Sequence, residues 1–204
     1  EASVWAFGTG DFTIEAWVYP QARVTNGAYI LARSQYGVNS DWQFSILNAG
    51  TLYFYMLTGG AGNTVTSTGT IPLFKWTHVA VTRSGTTVRL FINGVNDGTL
   101  TGVSSSLTAS YGPTTIGNSS NNQGSTYFNG YISNLRAIKG TALYTSSFTP
   151  PSVPLTAVAN TLLLTCNANR FVDFSANNTT LTRSGDAKVN SSHPFLSTYL
   201  ANTQ

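Results

Sequence analysis

Glu15 is the residue whose setting most invites a chemical reading. It stands in the run GTGDFTIEAWVYP, from Gly8 to Pro20. A carboxylate on a sheet hydrolyses glycosides when a second one faces it. Retaining enzymes hold the pair about 5 Å apart and inverting ones about 6.5–9.5 Å. The flanking same-face positions here are Thr13 and Trp17, and Asp11 lies four residues back, about 13 Å along an extended strand. The chain has seven acids, none of them a close pair. No catalytic set is assigned, and the chain is expected not to be an enzyme.

Other reactive types are as dispersed. His78 and His193 have no ligand spacing around them. Cys166 follows three leucines and reads as a core residue. No Gly-x-Ser-x-Gly elbow is present. Asp11, Asp41, Asp97, Asp173 and Asp186 are scattered, whereas calcium takes six to eight oxygens. No metal ligand set is named and no cofactor is expected, with calcium the one ion left open. Asp11 reads as capping the turn before its strand.

Aromatic residues offer a second chemistry, stacking against the apolar faces of sugars. Trp17, Tyr19, Trp42, Tyr53, Tyr55 and Trp76 alternate along separate strands. Trp17, Tyr19, Trp42 and Tyr55 are the candidate ligand contacts, and the competing reading packs such rings between two sheets. Thr, Ser, Asn and Gly supply 89 of the 204 residues, so hydroxyls and amides are plentiful beside any ring. The polar loops 118–126 and 59–63 are the freest surfaces.

The elements that must position these residues are strands. Phe12, Ile14, Ala16 and Val18 alternate with Thr13, Glu15, Trp17 and Tyr19, the period of a half-buried strand. Further strands are read at 28–36, 42–47, 51–58, 76–83, 88–92, 95–100, 114–117, 130–138 and 162–166. Asn93-Gly94 is the preferred pair for a type I′ hairpin turn. Residues 59–69 read as a small-residue loop or a weak edge strand, 140–145 as one helical turn, and 171–189 as short strands between turns. Pro150, Pro151 and Pro154 make a rigid crossing. The fold class is all-β, an antiparallel two-sheet sandwich.

Composition bounds the rest. Only 8% of residues are charged and the net charge is +3, with no basic run, so no nucleic-acid partner is expected. No apolar run approaches the about 20 residues of a membrane span, and no membrane insertion is expected. The single cysteine excludes an internal disulfide and points to folding in a reducing compartment. Residues 1–204 read as one domain of a longer chain, because the sequence begins at Glu1 without a signal peptide.

Four segments together resemble a known family: GDFTIEAWVYP at Gly10–Pro20, WTHVAVTRSGTTVRLFINGVNDG from Trp76 to Gly98, Thr115–Gly117 followed by FNGYISNLR at Phe128–Arg136, and TALY at Thr141–Tyr144. Their order and spacing are similar to the laminin-G-like, concanavalin-A-like jelly rolls, with the flavour of repeats in tailed-phage structural and tail proteins. Residues 162–195 resemble the closing strands of such repeats. The first strand of the family would have to come from Glu1–Trp5 or from a neighbouring segment.

The resemblance implies that Glu15 pairs with Arg136, as a bidentate guanidinium–carboxylate contact across strands. It implies a non-enzymatic virion module, in a tail fibre, appendage or capsid decoration, that binds host-surface glycans. Expected partners are other virion proteins or copies of itself in an oligomer, with assembly in the host cytoplasm. The alternative is a secreted or cell-surface bacterial lectin-like adhesion domain.

Overall fold

Alternation in the first strand sets the layering. In β1 (Phe12–Pro20) the side chains of Phe12, Ile14, Ala16 and Val18 are fully buried, facing the second sheet. The structure, a computed structural model that describes residues 4–34, 40–108, 110–119 and 126–195, places β1 in the middle of a six-stranded antiparallel sheet. Its neighbours are β6 (Thr77–Ser84) and β10 (Gly130–Lys139). Beyond them lie β7 (Thr87–Ile92) and β8 (Val95–Leu100) on one side and β11 (Thr161–Thr165) on the other.

A five-stranded antiparallel sheet covers the inner face of the first. It runs β5 (Ala61–Thr70), β4 (Thr51–Thr58), β3 (Ser40–Ile46), β2 (Ala28–Ser34) and β9 (Thr114–Ile116). Leu52, Phe54 and Met56 of β4 and Trp42, Phe44 and Ile46 of β3 point inward, and the core they build is strongly aromatic. This is a two-sheet jelly-roll sandwich of the laminin-G-like, concanavalin-A-like kind, as expected.

Trp42 corrects one sequence reading. It has no exposed surface and packs with ring centroids 5.8 Å from Trp5 and 5.6 Å from Phe7. It shares the inward phase of Phe44 and Ile46, so it fills the core and cannot touch a ligand. Residues 61–70 form a complete edge strand rather than a loop. Segment 140–145 makes no helical turn, and 171–189 contains no strand.

The non-strand segments cover the outer face of the six-stranded sheet. Residues 141–158 cross it as a strap. Thr13 donates to the Thr141 carbonyl and accepts from the Leu143 amide, Thr82 donates to the Tyr144 carbonyl, and Arg136 donates to the Thr156 carbonyl. The Asn93-Gly94 turn docks the strap: the Phe148 amide donates to the Gly94 carbonyl at 2.8 Å. Gly94 has φ +77°, and any Cβ there would collide with the Phe148 carbonyl. Both facts require glycine.

Further along, Asp173 seals the edge of β11. Its carboxylate accepts from the amides of Leu164, Ser175 and Thr179 and from the Ser175 hydroxyl. An edge strand left bare invites pairing with another chain.

Candidate functional site

The outward side chains of β1 meet three different fates. Thr13 and Glu15 lie under the strap. Glu15 is fully buried, and its carboxylate receives four donors. Arg136 Nε and Nη2 donate to Oε1 at 2.9 and 2.5 Å, and Tyr144 Oη and His78 Nε2 face Oε2 at 2.9 and 3.1 Å. Register explains the meeting, since Glu15 stands opposite Arg136 on β10 and next to the Trp17–His78 pair with β6. Burial works against the charge on Glu15, but His78 and Arg136 outweigh it and hold the carboxyl below its ordinary value of 4.5. Burial, with Glu15 beside it, pushes the Tyr144 phenol up.

Trp17 comes next along β1. Its ring packs edge-on against His78 at 5.3 Å and against Phe195 of the C-terminal segment at 6.1 Å. Tyr19 ends the strand in a cluster with Trp76 and Tyr131, with centroids 5.5–6.3 Å apart. These half-buried rings are packed on one another.

The outer face of the five-stranded sheet is built differently. Tyr53 and Tyr55 of β4 project outward between the buried Leu52, Phe54 and Met56. Across β3 they meet Ser45 and Gln43, which in turn stand opposite Tyr29 and Ala32 of β2. Across β5 they meet the exposed Thr66 and Thr64. The Tyr29 hydroxyl donates to Gln43 Oε1 at 2.7 Å. Ser45 Oγ, between Tyr29 and Tyr53 in register, is buried without a hydrogen-bond partner. Gly62 lets the Tyr55 ring lie across β5, because a Cβ there would sit 2.8 Å from Tyr55 Cε2.

Three tyrosines, an amide and three hydroxyl side chains thus share one rigid face. Burial pushes the Tyr29 phenol up, helped by Tyr53, and does the same to Tyr53, helped by Tyr55. Tyrosines of this kind present a hydroxyl that donates and accepts on an apolar ring.

The structure therefore separates the four predicted ligand contacts. Trp17 and Tyr19 lie on one outer face, Tyr55 on the other, and Trp42 between the sheets. Sequence reasoning singled out Tyr55 and named Tyr53, but left out Tyr29 and Gln43. Strand β2 reads as uniformly apolar around Tyr29, which hides its outward phase. Loop residues 120–125, also picked as free surface, lie outside the described residues.

Three of the described aspartates are engaged by the chain itself. Asp41 spends both oxygens on Thr108, Ser110, Tyr111 and Arg33. Asp11 holds the Gly85 amide rather than its own turn, and Asp97 holds the Gly69 amide. Among the described residues no three acidic, histidine or cysteine side chains converge.

A model for laminin-G-like domains, described as the concanavalin A-like lectin/glucanases superfamily, matches residues 2–144. No curated protein matches in sequence. Among solved structures, the CBM40 of the Ruminococcus gnavus IT-sialidase bound to alpha2,3 sialyllactose is similar, at 16% identity and TM-score 0.57 over 67% of this chain and 78% of that one. Domains LG4-5 of the mouse laminin alpha1 chain are similar at 16% identity and TM-score 0.52, over 72% and 43%. A leech intramolecular trans-sialidase complexed with 2,7-anhydro-Neu5Ac is similar at 18% identity and TM-score 0.58, over 68% and 22%. At these identities the likeness is one of fold, and the chain spans less than half of the last two.

Proposed function

The chain belongs to the concanavalin A-like lectin/glucanase superfamily, and from that premise we propose that it is a glycan-binding module whose ligand lies on the outer face of the five-stranded sheet. One observation carries the reading: the half-buried Tyr53, Tyr55 and Gln43 lie side by side on adjacent strands of that face, backed by the buried Tyr29, with the exposed Thr64 and Thr66 at its rim. Tyrosine rings supply stacking area at low entropic cost, and the amide and hydroxyls supply direction. That is the usual division of labour in a small-molecule site. The sugars named for the sialidase module and the leech enzyme support the same reading by analogy of fold.

Binding without hydrolysis is part of the proposal. The carboxylate that sequence reasoning weighed as a catalyst, Glu15, is saturated beneath the strap on the opposite sheet. The sequence resemblance supplies a setting, a repeated module on a phage particle. There many weak sites gain avidity without new contacts. A bacterial surface adhesin would use the same face.

Titration of isotope-labelled protein with a panel of oligosaccharides tests the proposal. Shifts confined to β2–β5, lost in Tyr55→Ala, are expected. Shifts confined to the strap or to the Tyr19, Trp76 and Tyr131 cluster would count against it.

A further inference from the structure

We propose that the five-stranded face selects neutral glycans and rejects sugars bearing a carboxylate, sulfate or phosphate. The inference rests on the glycan-binding reading above and names the ligand class of that same face.

No charged residue occurs between Asp41 and Lys75 or between Asp97 and Arg136. Strands β4, β5 and β9 are therefore free of charge from end to end. The two charges elsewhere in the sheet, Arg33 of β2 and Asp41 of β3, face each other with Nε 3.4 Å from Oδ2. Both are buried, and Asp41 is further held by the 108–111 segment. Arg23, beyond the turn end of the sheet, donates to the Ile71 carbonyl, and its Nη1 is buried. The outward set is thus Tyr29, Gln43, Ser45, Tyr53, Tyr55, Thr64 and Thr66, with no carboxylate, guanidinium or ammonium among them.

An acidic sugar is recognised through a guanidinium or ammonium, because a carboxylate taken from water onto a surface without a cation loses hydration uncompensated. A hydroxylated neutral ring loses far less and regains it from the half-buried Tyr53 and Tyr55 hydroxyls, Gln43 and the exposed Thr64 and Thr66. The chain thereby departs from its structural neighbour that holds sialyllactose, an acidic sugar. Recognition by stacking and neutral hydrogen bonds is also insensitive to salt.

The test uses the chain on an array of matched pairs, each neutral oligosaccharide beside its sialylated or sulfated form, at ~50 and ~500 mM salt. The neutral member is expected to bind at least about tenfold tighter, with the ratio unchanged by salt. Thr64→Lys, on the exposed edge strand, is expected to raise binding of the acidic members at the lower salt only. Acidic members binding as well or better, and weakening with salt, overturn the neutral class while leaving glycan binding intact. Failure of every glycan to bind overturns the functional reading and this inference with it.

Discussion

Four donors on one buried carboxylate make Glu15 a structural knot, and its chemistry follows from that. Removing the charge leaves Arg136 buried without its partner, so Glu15→Gln is expected to cost about 3–5 kcal/mol of stability, read from urea unfolding. The pH dependence has a definite sign. The folded pKa is depressed, so the stabilisation is fully present above the ordinary 4.5 and is lost as pH falls through the folded value. The gap between wild type and Glu15→Gln should therefore be constant near neutrality and close only below about pH 4.5. A gap that closes well above that pH would show that the carboxylate is not its source. Cys166 makes a simpler case. It is partly exposed just past β11 rather than a core residue as its neighbouring leucines suggested, yet burial of the sulfur pushes its thiol up to about 11, so at pH 8 it should react with a thiol reagent about 100-fold more slowly than a free cysteine. At this scale the Glu15–Arg136 contact was legible because family resemblance placed both residues. His78 and Tyr144 were not, since they reach Glu15 from 63 and 129 residues away.

Among the elements, β1 and the β6–β7 hairpin were readable because their apolar residues alternate strictly and turn residues bound them. Strand β5 was not. It is built of Thr, Gly, Asn, Ser and Ala with Val65 its one core side chain, so it has almost no hydrophobic phase, and pairing with β4 alone defines it. Trp42 failed for another reason, since an aromatic ring fits a core and a ligand face equally well until the register of its strand is known. Two predictions belong here. Gly62→Ala should keep the fold, since Gly62 is not among the residues with positive φ. The new Cβ should displace the Tyr55 ring and weaken glycan binding several-fold in titration. Asp173→Ala removes the acceptor of the Leu164, Ser175 and Thr179 amides. It should cost about 1–3 kcal/mol and open residues 173–179 to limited proteolysis before the strands. Equal protection in both proteins would show that the carboxylate does not hold that segment.

For the molecule as a whole, the two sheets divide the labour. The six-stranded sheet carries Glu15, His78, Arg83, Arg136 and Lys139 and is roofed by the strap. The five-stranded sheet carries one internal ion pair and an outer face on which Tyr53 and Tyr55 are half-buried beside the buried Tyr29. The sandwich itself was legible from strand alternation and turn chemistry. Which outer face is roofed was not, because the strap contains no periodic signal and binds mostly through backbone carbonyls.

The central claim is that the tyrosine face binds the glycan. Its most direct test is the affinity of wild type, Tyr53→Ala/Tyr55→Ala and Tyr131→Ala for neutral oligosaccharides, each shown to be folded by its unfolding transition. The account predicts that the double variant loses at least about tenfold in affinity and that Tyr131→Ala, on the opposite face, binds as wild type does. Undiminished binding by the double variant, with loss in Tyr131→Ala, would contradict it.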